Sequence, residues 1–286
     1  MRIRRLSLLA VLAMLLTSAC APGVAQGPRQ DAASAGGSAP KLLRMGVTFD
    51  DEPREFGLTF GSIGAGGTET RYLLNAPLTI YDDKGTQHPR VAERIPTIEN
   101  GDWTVTPDGR METTWKLRPD LRWHDGTPFT AEDFIFGFRI ATDPEWALGT
   151  RVLRSVDEIT APDPHTLVMR WKNIEISANQ MGLNVVPPLA RHLLAEPYAT
   201  LSKEAFAAHP YWSDQFIGIG PYRMQQWLRG TSMDIVANGD YFLGPPKIDR
   251  ILFQYFGDTR GLMVANMAGE VDVIPVGYLK AEEPSC

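Results

Sequence analysis

Between Met111 and Arg118 the chain alternates. Met111, Thr113, Trp115 and Leu117 fall on one side, and Glu112, Thr114, Lys116 and Arg118 on the other. That is the period-two pattern of a half-buried strand. Asp108-Gly109 ahead of it predicts a tight turn, and His124-Asp125-Gly126 behind it turns the chain again. Thr130 then reads as a helix N-cap, with Glu132 and Asp133 in the first turn, where carboxylates suit the helix dipole. Phe134, Phe138 and Ala141 follow at helical spacing. The stretch predicts turn, strand, turn and helix, with the apolar sides of both elements in a core.

The same patterns extend along the chain. Leu43, Met45, Val47 and Phe49 alternate within Lys41 to Phe49 and predict a first strand. Asp50 to Thr70, with Gly64, Gly66 and Gly67, reads as a long loop, and a loop of that length inside a compact domain is usually functional or disordered. Val156 to Ala161 and Thr166 to Trp171 form a predicted hairpin across Pro162-Asp163-Pro164-His165, with Leu167, Met169 and Trp171 on one face. A helix begins at Arg191. Tyr222 to Trp227 and Ser232 to Ala237 read as strands around a turn at Arg229-Gly230. Asp258 caps a predicted helix running to Ala268, with Gly269 as its stop. Trp103, Trp115, Trp123, Trp171 and Trp227 lie in or beside predicted strands, where core packing is the default role. There is no internal repeat.

The amino terminus has a different character. Arg2, Arg4 and Arg5 precede an apolar run from Leu6 to Leu16, too short to span a bilayer and typical of an export signal. Thr17-Ser18-Ala19-Cys20 resembles a bacterial lipobox, although Thr17 stands where Leu is usual. The resemblance implies lipidation of Cys20 and a membrane anchor. Residues 21–40, rich in Ala, Gly, Ser, Pro and Gln, read as a flexible tether. The only other cysteine is Cys286, so the mature chain has no disulfide framework and depends on core burial. Removing the signal would take the net charge from −6 to −9. An acidic chain without a basic stripe argues against nucleic acid as a partner.

Enzyme signatures fail on inspection. Gly218-Ile219-Gly220 lacks the third Gly of a dinucleotide fingerprint, and no phosphate loop or His-Glu-x-x-His is present. Ser62 has Phe60 where a nucleophile elbow needs Gly. His88, His124, His165, His192 and His209 are scattered near turns and read as solvated or capping residues, not metal ligands. Asp82-Asp83 and Asp50-Asp51-Glu52 read as solvated loop acids. Neither catalysis nor a cofactor is expected.

The block from Asp108 to Arg139 resembles the signature region of the family 5 extracellular solute-binding proteins, the peptide, dipeptide and nickel receptors of ABC importers. Other blocks resemble the family in order: His88-Pro89-Arg90-Val91-Ala92-Glu93, Val185-Val186-Pro187-Pro188, Gly218-Ile219-Gly220-Pro221-Tyr222 with Ile219 in place of Thr, Gly244 to Ile251, and a strand over Gly269 to Ile274. The resemblance implies an α/β fold of the periplasmic-binding-protein type II kind. A mixed-sheet lobe is split between residues 41–75 and 190–278, a smaller α/β domain is inserted over 76–189, and 279–286 is an irregular tail. Family members are roughly twice as long, so the second, carboxyl-terminal lobe is expected to be absent and the chain truncated.

By the same resemblance the partners are a peptide or other small solute and the permease subunits of an ABC importer. The implied cleft rim is Phe49 and Asp50 at the end of the first strand, Gly66, Gly67 and Thr68 in the glycine-rich loop, and Pro275 and Val276 at the exit towards the second lobe. The alternative is a membrane-tethered interaction module, or a non-functional fragment, that captures no solute.

Overall fold

The alternation of Leu43, Met45 and Val47 produces β1 (Leu42–Thr48), which lies at one side of a four-stranded sheet ordered β1-β10-β9-β8. Its parallel neighbour is β10 (Arg250–Phe256), with Met45 opposite Phe253 and Val47 opposite Tyr255. Antiparallel β9 (Ser232–Ala237) and β8 (Tyr222–Leu228) complete the sheet, with a register irregularity between Met224 and Gln226. Val47, Phe253, Met233 and Ile235 are all buried in the main core. The computed structural model describes residues 39–57, 65–146, 150–183 and 185–275. Pro40–Cys286 is one unit. Cys20, Val276 and the tail lie outside the described residues.

A second four-stranded sheet comes from the middle of the chain. Its order is β4 (Trp103–Val105), β5 (Met111–Lys116), β7 (Thr166–Trp171) and β6 (Val156–Asp163), every pair antiparallel. The alternation predicted for β5 is what the structure contains, with Met111, Thr113 and Trp115 buried and their neighbours half-buried. β2 (Thr79–Tyr81) and β3 (Gln87–Pro89) form a separate ribbon.

Among the helices, α1 (Ala65–Leu74) precedes β2. α2 (Ala131–Thr142) starts at Thr130, whose N–H donates to the Asp133 carboxylate at 2.9 Å, so the third residue of the helix closes its own entrance. Asp133 also accepts from Trp123 Nε1 (3.3 Å) and from the backbone of Arg191 (3.3 Å), which heads α4 (Arg191–Thr200). One buried carboxylate thus joins the turn before α2, α2 itself and α4. Burial pushes its pKa up, against those hydrogen bonds. The short helices α3 (Arg151–Ser155) and α5 (Lys203–Ala207) are capped by Thr150 and Ser202. α6 (Thr259–Met267) is capped by Asp258, which accepts from the Gly261 N–H at 2.7 Å, and Gly269 follows with φ of 74°. The tryptophans predicted to pack do so: Trp115, Trp123, Trp171 and Trp227 are buried and Trp103 packs half-buried against the same core. Each fully buried large side chain contributes roughly 1.5–3 kcal/mol.

His124, expected to be solvated or capping, is partly buried and ties off backbone groups. Its Nδ1 accepts from the Gly218 N–H (3.2 Å), its Nε2 meets the Gly220 carbonyl (3.0 Å), and its own N–H donates to the Gly218 carbonyl (2.9 Å). The loop it grips is pressed onto the carboxyl end of α1. A Cβ on Gly218 would lie 1.9 Å from the Leu74 carbonyl oxygen, and one on Gly220 would lie 2.4 Å from the Leu74 carbonyl carbon. Only glycine permits that approach.

Three boundaries differ from the sequence reading. β1 ends at Thr48, and Phe49–Asp51 form a 3-10 turn. Helix α1 begins at Ala65, so Gly66, Gly67 and Thr68 are helical and not in a loop. Their low helix propensity is outweighed by the rest of the helix and by packing. The strand expected over Gly269 to Ile274 reduces to a single parallel bridge between Met45 and Val273.

Candidate functional site

Because β1 and β10 are parallel, their carboxyl ends open at the same edge of the sheet. In open α/β sheets that edge is where ligands bind. The turn between β8 and β9 reaches the same edge, since Ser232 pairs with Gln254 near the end of β10. Three segments meet there.

The first is the 3-10 turn that follows β1. Phe49 is 47% exposed, and Asp50 is exposed beside it. The chain then dives back onto the β8–β9 turn. Glu52 accepts from Trp227 Nε1 (2.8 Å) and from the Gly230 N–H (3.0 Å), and Arg229 donates to the carbonyls of Pro53 (3.0 Å) and Arg54 (2.9 Å). The Arg229 guanidinium also lies 3.5 Å from the centre of the Trp227 ring, a cation–π contact. The exposed pair Phe49 and Asp50 is therefore held on a stapled segment. Under it, Tyr255 is buried with no hydrogen-bond partner for its hydroxyl among the described residues. Burial first, and then the Glu52 carboxylate, push that phenol upward.

The second segment is α1, which packs beside the 3-10 turn. Gly66, Gly67 and Thr68 occupy its first turns. One turn on, Arg71 is buried and donates to the Leu183 carbonyl at 3.3 Å. Burial lowers its pKa, and the Glu55 carboxylate works against that shift.

The third is the exit segment. Val273 lies beside Met45 and runs parallel to β1, so Pro275 is carried towards the end of β1 that leads into Phe49. The Gly46 N–H donates to the Val273 carbonyl (3.0 Å), and the Arg44 carbonyl accepts from Asp272 (2.9 Å) and Val273 (3.2 Å). Arg44 also grips the Asp272 carboxylate through Nε (3.0 Å), NH2 (2.7 Å) and its backbone N–H (2.8 Å). Those bonds hold the Asp272 pKa down at about 2.

Of the rim residues named from the sequence, Phe49, Asp50 and Pro275 thus converge on one edge, and Gly66, Gly67 and Thr68 sit on the helix packed beside it. Glu52, read from the sequence as a solvated loop acid, is instead tied to Trp227 and Gly230, and the parts that Arg71 and Arg229 play at that edge were not legible. Glu52 and Trp227 are 175 residues apart.

Among the described residues no cluster of three or more His, Cys, Asp or Glu is placed to hold a metal. No described helix is long and apolar enough to cross a membrane. A hollow of about 600 Å³ lies elsewhere, lined by Phe138, Thr142, Asp143, Leu153, Val156 and Lys172 among others, and none of its lining residues belongs to the rim.

The chain is 30% identical over 226 residues to a Brucella ovis protein named for peptide binding in an ABC transporter, covering 78% of this chain and 40% of that relative. It is 26% identical over 280 residues to the oligopeptide-binding protein AppA of Bacillus subtilis, covering 95% of this chain and 47% of AppA. The chain therefore spans under half the length of these relatives. Its fold matches the oligopeptide-binding protein of Thermus thermophilus, solved with a pentapeptide, at a TM-score of 0.72 and 20% identity over 82% of this chain and 44% of that one. Residues 88–284 match the middle region that defines the bacterial extracellular solute-binding proteins, family 5. The chain belongs to the family 5 bacterial extracellular solute-binding proteins, a family of receptors and not of enzymes.

Proposed function

We propose that this chain is the first-lobe part of a substrate-binding lipoprotein of an ABC importer, that its solute is an oligopeptide or dipeptide, and that the solute lies along the carboxyl end of β1. The observation that carries the reading is the convergence of the Phe49 turn and the exit segment at that edge, beside α1. An extended peptide suits a strand edge because main-chain hydrogen bonds recognise any sequence, while side-chain pockets stay permissive. Pro275 has no N–H, so it cannot continue the bridge that Val273 makes with β1. Phe49 gives an apolar surface and Asp50 a charge. The names of the Brucella and Bacillus relatives and the pentapeptide in the Thermus protein favour peptides.

In this reading residues 41–75 and 190–278 are the split lobe and 76–189 the inserted domain. Gly66, Gly67, Thr68 and Val276 complete the rim. Cys20 carries the lipid, and residues 21–40 tether the receptor outside the membrane within reach of the permease. Closure of a second lobe over the solute creates the form that the permease recognises.

The lobe described here offers one side of such a cleft. A micromolar solute is held by about 8 kcal/mol, and an even division between two sides leaves about 4 kcal/mol, a millimolar affinity before immobilisation is charged against it. Thermal unfolding of the full chain with and without a mixed peptide library tests the reading. A cooperative transition that rises only at millimolar peptide is expected. A rise at micromolar peptide would mean that this lobe captures solute unaided. No rise at any concentration would favour a tethered interaction module.

A further inference from the structure

The side-chain grip of His124 on the Gly218–Gly220 loop depends on a single protonation state of its ring. Gly218 donates its N–H to Nδ1, so Nδ1 must present a lone pair, and the proton then sits on Nε2, where the Gly220 carbonyl accepts it. A second proton on the ring would have to sit on Nδ1, facing the Gly218 N–H. Donor would then oppose donor in a partly buried site, and the bond is lost.

We propose that His124 is an acid-sensitive latch: protonation of its ring releases the Gly218–Gly220 loop and, with it, the carboxyl end of α1. The mechanical link is short. The Gly220 N–H donates to the Leu74 carbonyl at 3.1 Å, and both glycines touch the Leu74 peptide unit. Asn238 Nδ2 also donates to the Gly220 carbonyl (3.2 Å), and the backbone N–H of His124 keeps its bond to the Gly218 carbonyl (2.9 Å), so the loop stays tethered when the imidazole lets go. Opening is therefore local and precedes global unfolding. The other end of α1 carries Gly66, Gly67 and Thr68, so acid loosens the helix that flanks the candidate rim.

The charged groups around the ring agree with this direction. Burial pushes the His124 imidazole down from 6.5 to about 4, and Arg223 on β8 adds to that, while the Gly220 carbonyl and Asp125 oppose it. Asp125 is itself occupied by His192 on α4 (2.8 Å). Asp133 on α2 is turned to Trp123 Nε1 and to two backbone N–H groups, and the Tyr211 hydroxyl donates to the Ile217 carbonyl. The opened form takes up the proton near 6.5 and the latched form only near 4. The latch is intact above the first value and is lost as the pH falls towards the second. That gap favours opening by about 300-fold at full protonation.

Nitrogen-15 NMR of the full chain between pH 7 and 4 tests the proposal, with amide exchange of Gly218 and Gly220 expressed relative to intrinsic rates at each pH. The expected result is an Nε2–H tautomer for His124 at pH 7, no titration near 6.5, and a loss of Gly218 and Gly220 protection as the ring protonates. His124→Gln presents an acceptor and a donor but does not titrate, so its protection is expected to stay flat over the same range. An Nδ1–H tautomer, a titration at 6.5 with protection retained, or a His124→Gln loop that opens with the wild-type pH dependence would overturn the latch. Should that variant fail to fold, the wild-type tautomer and titration decide alone.

Discussion

Arg44 and Asp272 are bound to each other through both side chain and backbone. The guanidinium takes both carboxylate oxygens, the Arg44 N–H donates to one of them, and the Arg44 carbonyl accepts the Asp272 N–H. Two residues along β1 the packing is also close. A Cβ on Gly46 would come within 2.3 Å of Leu262 and 2.9 Å of Val271. The exit segment is therefore bonded to β1 as far as Val273. Asp272→Asn should leave the fold intact but speed amide exchange at Gly46 and Val273, which NMR or mass spectrometry would detect. The folded pKa of Asp272, about 2, lies below its ordinary 3.8. The support it gives is therefore complete above 3.8 and lost as the pH falls towards 2. Unchanged exchange in the variant would mean that the backbone bonds alone hold the joint.

Gly218→Ala is expected to be strongly destabilising, by more than about 2 kcal/mol, because its methyl group meets the Leu74 carbonyl oxygen at 1.9 Å. Gly239→Ala, with nothing within 4 Å of the added Cβ, should lie within about 0.5 kcal/mol of the parent. Chemical denaturation of the two variants side by side gives the contrast.

Asp133→Ala removes an acceptor shared by Thr130, Trp123 and Arg191 and leaves those donors without it. A loss of about 2–3 kcal/mol is expected, visible as a lowered Tm. A variant that unfolds like the parent would show that the joint between α2 and α4 rests on apolar packing.

Phe49→Ala should separate binding from stability. The residue is 47% exposed, so unfolding should change by no more than about 0.5 kcal/mol. Peptide affinity should fall several-fold in a competition assay. Equal affinity in parent and variant would remove Phe49 from the rim.

Much of the fold was legible because local signals agreed with the final packing. The alternation of Met111 to Leu117, the Thr130 entrance to α2 and the Asp258 cap of α6 each needed only neighbours in sequence. β10 went unnamed as a strand even though it is a central strand of its sheet. Ile251, Leu252, Phe253, Tyr255 and Phe256 place apolar residues on both faces, so the period of two is blurred. The start of α1 was misplaced because Gly66 and Gly67 speak for a loop when taken alone. At the candidate site the exposed residues were named from the resemblance, but the staples beneath them were not. His124 with Gly218, Glu52 with Trp227 and Arg44 with Asp272 join positions that only the folded chain brings together.

The most direct test of the proposed site is hydrogen exchange of the full chain with and without millimolar mixed peptides, read segment by segment. The account predicts slowed exchange at Thr48–Glu52 and at Val273–Ile274, with no change around the Phe138–Lys172 hollow. Protection at that hollow, or protection nowhere, would contradict a solute site at the carboxyl end of β1.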